Sequence, residues 1–332
     1  MKRITFLIGN GFDINVGLNT RYEEFYEYYI KECPNDLLAC LIKRDFKRWS
    51  DLEIALGEYT AQVRTEKECE FWESEQTLER QLVEYLEGQM KRITWEGNKK
   101  RDAIADEMRK SLSSFYQELS VNEANYIADF ISYINEPIEY SFISFNYTDV
   151  LNNCVNIAKT IIENRVSIRM PTFRSCGYRD ILGKPLYIHG TVSGEVILGV
   201  NDAWQIANKA FRRDAKYFVK KEINEDVAPN RIPEARKMID ESIIVCIFGM
   251  SIGETDKMWW EYLGQWLQFN SRRRLIIYSK KPKGKVTTRQ IQENREEIIR
   301  RLMQNADNVM WTGLTKQVYT VFNKKMFDFK LL

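Results

Sequence analysis

Four short polar segments carry the residue types that can do chemistry, and each follows an apolar run. They are Gly9-Asn10-Gly11-Phe12-Asp13, Asn146-Tyr147-Thr148, His189-Gly190 and Gly249-Met250-Ser251. The first comes straight after Ile4-Thr5-Phe6-Leu7-Ile8 and before a helix start. Glycines there let the chain turn sharply and bring backbone N–H groups up to a phosphate, and the helix N-terminus favours an anion. The other three supply an amide, an imidazole and a hydroxyl. His189 is the one histidine in the chain, so any imidazole chemistry must use it and a multi-histidine metal site is excluded. Each segment also has a plainer reading. The loop lacks the third glycine of the dinucleotide fingerprint and can be a simple turn. Asp13, Asn146 and Ser251 suit helix caps, and an isolated histidine is more often structural than catalytic.

The elements that must position these residues are legible from periodicity. Apolar runs at 4–8, 141–145, 186–189, 196–199, 243–248, 275–278 and 309–311 read as strands. Helical stripes include Tyr22-Phe25-Tyr26-Tyr29-Ile30, and long charged helices are marked by Phe71-Leu78-Leu82-Tyr85 and Ile104-Met108-Leu112-Phe115. Ser50 with Glu53 three residues on reads as a helix start. Further helices are expected over 149–163 and 289–303. Strands alternating with helices predict an α/β fold, a parallel sheet covered on both faces. Ligands in such sheets sit at the carboxyl ends of the strands, where all four polar segments fall. Helix caps collect at that edge too. Residues 21–136 hold no credible strand. The expected organisation is a Rossmann-like nucleotide-binding domain from 1–20 and 137–332, with 21–136 a helical insertion, or lid, after the first strand.

Composition narrows the classes. In 332 residues, 49 Lys+Arg face 47 Asp+Glu, so no global field draws the chain to nucleic acid or membrane. No stretch approaches transmembrane length, and the first apolar run is too short for a signal-peptide core, so no membrane partner and a cytoplasmic location are expected. The six cysteines show no C-x-x-C pair, which excludes a zinc ribbon. The basic groups Arg272-Arg273-Arg274 and Lys280-Lys281-Pro282-Lys283-Gly284-Lys285 most simply form solvated surface, although they leave nucleic-acid contact open. The pairs Phe71-Trp72 and Trp259-Trp260 read as packing.

Leu7-Ile8-Gly9-Asn10-Gly11-Phe12-Asp13, followed by Gly17-Leu18, Thr20, Tyr22 and Phe25, resembles the opening signature of the bacteriophage abortive-infection AbiH family. Later blocks follow in the same order: Trp49-Ser50-Asp51-Leu52-Glu53, Phe145-Asn146-Tyr147-Thr148, Ile188-His189-Gly190 with Leu198-Gly199, and Phe248 through Asp256. The resemblance runs to about residue 270. That family is in turn similar to the sirtuin (DHS-like) NAD-binding fold. On that likeness Gly9, Asn10 and Gly11, with Phe12 and Asp13 behind them, lie under the NAD phosphates. Asn146 faces the nicotinamide ribose with Thr148 beside it, His189 is catalytic with Gly190, and Gly249 and Ser251 lie near the adenosine side. Two departures matter. No four-cysteine zinc ribbon is present, which argues against protein deacetylation, and Met250 stands where the family commonly has histidine.

The likeness implies an antiphage abortive-infection protein that binds NAD and hydrolyses its nicotinamide–ribose bond, with no metal. That bond has a cationic leaving group that needs no general acid, and the transition state resembles an oxocarbenium ion. Asn146 then holds a ribose hydroxyl or water, and His189, with an ordinary pKa near ~6.5, accepts a proton. Asp13 either lies near the ribose or caps its helix, and Glu53 enters the site if the lid lies over the sheet edge. The expected partners are a small-molecule nucleotide, a phage-derived trigger and further copies of the chain in a homo-oligomer. The other functional readings are a non-catalytic nucleotide-binding sensor of infection and a nucleic-acid-acting toxin.

Overall fold

The strand β1 (Lys2–Ile8) runs through the middle of the molecule. Ile4, Phe6 and Ile8 enter one apolar core and Leu7 another, the two-residue period of a strand buried on both faces. The computed structural model describes residues 1–47, 49, 51–165, 168–169, 179–280, 287–322 and 326–331. One seven-stranded sheet contains β1, β2 (Ile138–Ser144), β3 (Ile181–Leu182), β4 (Leu186–Tyr187), β5 (Ser242–Phe248), β6 (Arg274–Ser279) and β7 (Val318–Phe322). The order is β3-β2-β1-β5-β6-β7, with β4 also on β2, and every pairing is parallel. The chain winds outward from β1 to one edge and resumes at β5 on the other side of β1. A doubly wound sheet of this kind has its switch point between β1 and β5, where the carboxyl ends diverge and leave a crevice.

Among the described residues seven α-helices lie between β1 and β2: α1 (Gly11–Val16), α2 (Tyr22–Glu32), α3 (Leu37–Arg44), α4 (Leu52–Tyr59), α5 (Glu68–Met90), α6 (Asn98–Ser113) and α7 (Val121–Ser132). The segment serves two cores. From α6 and α7, Ile104, Met108 and Ile127 join α8 (Val150–Arg165) over one face of the sheet, against Ile4 and Phe142. From α2 to α5, Phe25, Trp49, Leu56 and Phe71 instead pack on Leu198, Phe211 and Phe218. The opposite sheet face is covered by α10 (Arg231–Asp240), α11 (Lys257–Gln268) and α12 (Thr288–Gln304), through Ile239, Trp260, Trp266 and Leu302. Between the two blocks, α9 (Lys220–Val227) begins at the edge of the α2–α5 core.

Two expected strands are absent as strands. Residues 196–199 form only an antiparallel bridge between Gly190 and Val196. At 309–311, Val309 and Trp311 plug the core beneath α11 while Met310 stays 77% exposed. Trp311 Nε1 donates to the Ala306 carbonyl at 3.0 Å, which ties the run to the end of α12 rather than to the sheet. The last strand comes after the left-handed turn at Gly313, and four of its five residues are buried. The helix start expected at Ser50 lies on a residue outside those described. Asp51 caps α4, accepting from Ile54 N at 3.3 Å.

Candidate functional site

At the switch point the ends of β1 and β5 lock together. Gly9 N donates to Phe248 O at 2.9 Å, Gly11 N to Gly249 O at 2.8 Å, and Phe12 N to Gly9 O at 2.9 Å. A Cβ on Gly11 would stand 2.4 Å from the Cα of Gly249, which itself has φ +73°. The glycines are therefore required by backbone-on-backbone contact between two strand-end loops. Three of the five amides from Gly9 to Asp13 are committed within the protein, and α1 is a helix of only six residues. This is a different use of the glycines from the phosphate cradle that spacing suggests.

Pairing of β1 with β2 continues one residue past the strand, through Phe145 N to Ile8 O at 2.8 Å, and this carries Asn146 to the crevice. The Thr148 hydroxyl donates to Asp13 Oδ2 at 2.7 Å. Asp13 is 1% exposed and Asn146 5%. Among the described residues, Asp13 Oδ1 and both amide atoms of Asn146 have no hydrogen-bond partner. Burial raises Asp13 to about 7, opposed by the Thr148 hydroxyl and by Asn146, which lies close without reaching hydrogen-bond geometry. Asn10 holds the entrance by a reciprocal pair with Thr20: its Nδ2 donates to Thr20 O at 2.7 Å, and the Thr20 hydroxyl donates to its Oδ1 at 2.5 Å. These side chains line a cavity of about 90 Å³.

His189 follows β4. Ile188 N donates to Ser144 O at 2.9 Å, and His189 O accepts from Ile197 N at 2.9 Å. Gly190, at φ +70°, leaves no room for a Cβ, which would fall 1.7 Å from Glu195 O. The imidazole meets Phe145 edge-on at 5.8 Å and lies 6.2 Å from the Tyr147 ring. Its Nδ1 is buried without a partner. Burial, aided by the Lys220 and Arg231 cations, holds its pKa well below 6.5, so the ring is neutral at physiological pH. It can accept a hydrogen bond or a proton there, but as a weaker base than an unperturbed histidine.

An adjoining cleft of about 250 Å³ contains His189, Gly9, Asn10, Gly249 and Ser251. Lys220, Asp51, Asp256 and Tyr22 also line it; Asp51, Asp256 and Tyr22 were quoted within the AbiH-like blocks without a site role of their own, Glu53 was raised as conditional on lid placement, and Lys220 was missed by sequence reasoning. Lys220 Nζ lies 2.6 Å from Glu53 Oε2, both side chains being nearly buried. Burial raises the Glu53 carboxyl, Lys220 opposes that rise, and Asp256 and Asp51 add to it. Burial likewise raises Asp51 and Asp256. Lys220 is delivered by a parallel bridge: Val200 N donates to Phe218 O at 2.9 Å and Lys220 N to Val200 O at 2.8 Å. Gly199 permits it, since a Cβ there would stand 2.2 Å from Phe218 O. Nothing beside Lys220 in sequence marks it; the one related signal is Leu198-Gly199, with Gly199 twenty-one residues upstream. Trp49 steadies the start of α4, stacking on Tyr59 at 4.9 Å.

Of the residues expected to contact a nucleotide, Gly11, Phe12 and Gly190 line neither cavity. Phe12 points into the core, 5.7 Å from Phe327 and 5.9 Å from Phe329. A larger cavity of about 870 Å³ lies elsewhere, between α6, α7 and Asp328–Lys330, and holds none of the strand-end residues. Among the described residues no cluster of His, Cys, Asp and Glu suits a metal ion. No helix among them is long and apolar enough to cross a membrane.

The family model for bacteriophage abortive infection AbiH matches residues 5–278. The chain belongs to that family. No curated protein matches it. Every AbiH-like block quoted from the sequence reaches the crevice: Asn10 from the first, Asp51 and Glu53 from the second, Asn146 and Tyr147 from the third, His189 from the fourth, and Met250, Ser251 and Asp256 from the last. Met250 packs over Gly9, with its Cγ 2.4 Å from where a Gly9 Cβ would stand.

Proposed function

We infer from AbiH membership that this is an antiphage abortive-infection protein. We propose that it acts by binding a nicotinamide nucleotide in the strand-end cleft and hydrolysing the nicotinamide–ribose bond. One observation carries the reading: three nearly buried polar groups with unpartnered atoms, Asn146, His189 and Asp13, converge beside a cleft walled by carboxyls. Such atoms are costly to leave unpaired in a folded protein and suit a hydroxyl-rich ligand such as a ribose. The cleft holds about 250 Å³, at the lower edge of ligand pockets, so it accommodates the nicotinamide riboside end and leaves the remainder to the exposed side at Asn10 and Ser251.

The leaving pyridinium departs without a proton, so the protein need only hold the sugar and ready a water. Asn146 is suited to hold a hydroxyl or the water by its amide. His189, being neutral, offers a lone pair at a ring nitrogen. Glu53 and Asp256 supply negative charge beside the developing positive charge.

The test is release of nicotinamide from NAD by purified protein, alone at high concentration and with phage lysates as trigger. His189→Ala and Asn146→Ala should each lower release by about 100-fold or more while retaining the fold. Full activity in both variants overturns the assignment of the site, and no release under any trigger overturns hydrolysis. The sensor reading then stands if NAD still binds intact. The toxin reading rests on Lys280 to Lys285, of which only Lys280 lies within the described residues.

A further inference from the structure

We propose that the strand-end cleft is a subsite for an aromatic cation of the pyridinium type, with Glu53, Asp51 and Asp256 supplying the opposing charge and Tyr22, Phe145 and Tyr147 the ring faces. This rests on the nicotinamide reading and sharpens it: the site selects the oxidised, cationic ring over the reduced, neutral one.

The argument is a charge count in a confined space. Three carboxyls line a cleft of about 250 Å³ that also holds one ammonium, Lys220, and one neutral imidazole. Lys220 is already engaged, 2.6 Å from Glu53. With all three carboxyls ionised the cleft is therefore anionic, which opposes a phosphate and favours a cation. Aromatic rings add to this preference, because a cation is drawn to the negative face of a ring. Tyr22, Phe145 and Tyr147 all border the cleft, and all three also border the small cavity that contains Asn146. An acidic cluster alone would not make a site. Here two further polar side chains are more than nine-tenths buried and face the same crevice without partners, His189 through Nδ1 and Asn146 through its amide. A ring cation in the carboxyl-lined cleft would leave its attached sugar beside those atoms.

The geometry also divides the labour. Phosphates would have to lie outward, at exposed Asn10 and Ser251, away from the carboxyls. Glu53 and Tyr22 come from the helical segment between β1 and β2, so ring selection depends on residues outside the sheet.

The experiment titrates the full chain, by calorimetry at about pH 8, with two probes sharing one ring: 1-methylnicotinamide, a cation methylated on the ring nitrogen, and nicotinamide, neutral. The cation should bind about tenfold tighter or more. Glu53→Gln and Asp256→Asn should each cut that preference several-fold. The double variant Glu53→Gln/Lys220→Met removes one charge of each sign, so the cleft keeps its net charge and should keep most of the preference, which separates a lost charge from a fold lost through an orphaned lysine. Equal affinities, no saturable binding of the cation, an unchanged preference in both single variants, or a preference lost in the double variant overturns the proposal. A cation preference in protein that never cleaves NAD refutes hydrolysis alone. NAD cleavage without a cation preference refutes the subsite alone.

Discussion

Replacing Asp13 with Asn should stabilise the protein at alkaline pH and remove a defined part of its pH dependence. Asp13 is 1% exposed, and among the described residues its carboxyl accepts one hydrogen bond, from the Thr148 hydroxyl. Burial lifts its pKa from 3.8 to about 7. Raised in the fold, the group binds more protons folded than unfolded between those values, so stability falls as pH rises through that window. The contribution is fully present below about pH 4 and lost by about pH 7. At about 1.4 kcal/mol per pH unit, the rise corresponds to roughly 4 kcal/mol. Asparagine keeps the shape and can still accept from Thr148, but it carries no charge to desolvate. Urea unfolding of wild type and Asp13→Asn at about pH 5 and pH 8 isolates the term, because the other raised carboxyls are common to both chains. The variant should gain about 1.5 kcal/mol at the lower pH and about 4 kcal/mol at the higher. An equal difference at both pH values, or a variant destabilised at pH 8, would refute a desolvated Asp13. An aspartate kept at that cost beside unpartnered Asn146 is what a site, rather than a scaffold, requires.

Two further outcomes follow from the packing. Lys220→Met should cost about 3–5 kcal/mol at pH 8 by urea unfolding, because it leaves the Glu53 carboxyl buried beside Asp51 and Asp256, and the cost should shrink in acid as those carboxyls take up protons. Glu53→Gln/Lys220→Met should recover most of it. Gly11→Ala should lower the thermal midpoint strongly, since its Cβ meets backbone at 2.4 Å, whereas Gly253→Ala, whose nearest neighbour is a side-chain oxygen at 3.8 Å, should be nearly silent.

The sheet was readable because strands buried on both faces must be almost wholly apolar, and Ile4–Ile8 and Ile243–Phe248 advertise themselves. Val318–Phe322 carries the same β-branched and aromatic signal, yet the shorter run at 309–311 competes with it. Only tertiary packing, with Trp311 tied to Ala306, decides between them. At the crevice, Asn146 and His189 were legible because each closes a strand. Lys220 was not, since its place depends on Gly199 yielding to Phe218, a contact between segments with no shared periodicity. The glycines of the first loop illustrate the opposite difficulty. Their positions were plain, but sequence cannot tell a backbone brought near a phosphate from one brought near Gly249.

The Glu53–Lys220 pair supports the proposed ligand cleft by an argument from cost. A buried ion pair is a poor fastener, because desolvating two charges offsets most of their attraction, and well-packed apolar residues of similar size hold elements together as well or better. The α2–α5 block already has such a fastener: Phe25, Leu56 and Phe71 bury against Leu198, Phe211 and Phe218. It has a polar one too, with Ala207 N donating to Gly57 O at 3.1 Å and Asn208 N accepted by Thr60 Oγ1 at 3.0 Å. Docking therefore does not need the pair. Asp51 and Asp256 beside it make the arrangement costlier still, since each raises the Glu53 carboxyl. A feature that docking does not require, and that folding alone would discard, is explained by what it does for the cleft: Lys220 keeps one carboxylate in place at the wall while the remaining negative charge stays free to meet a cation.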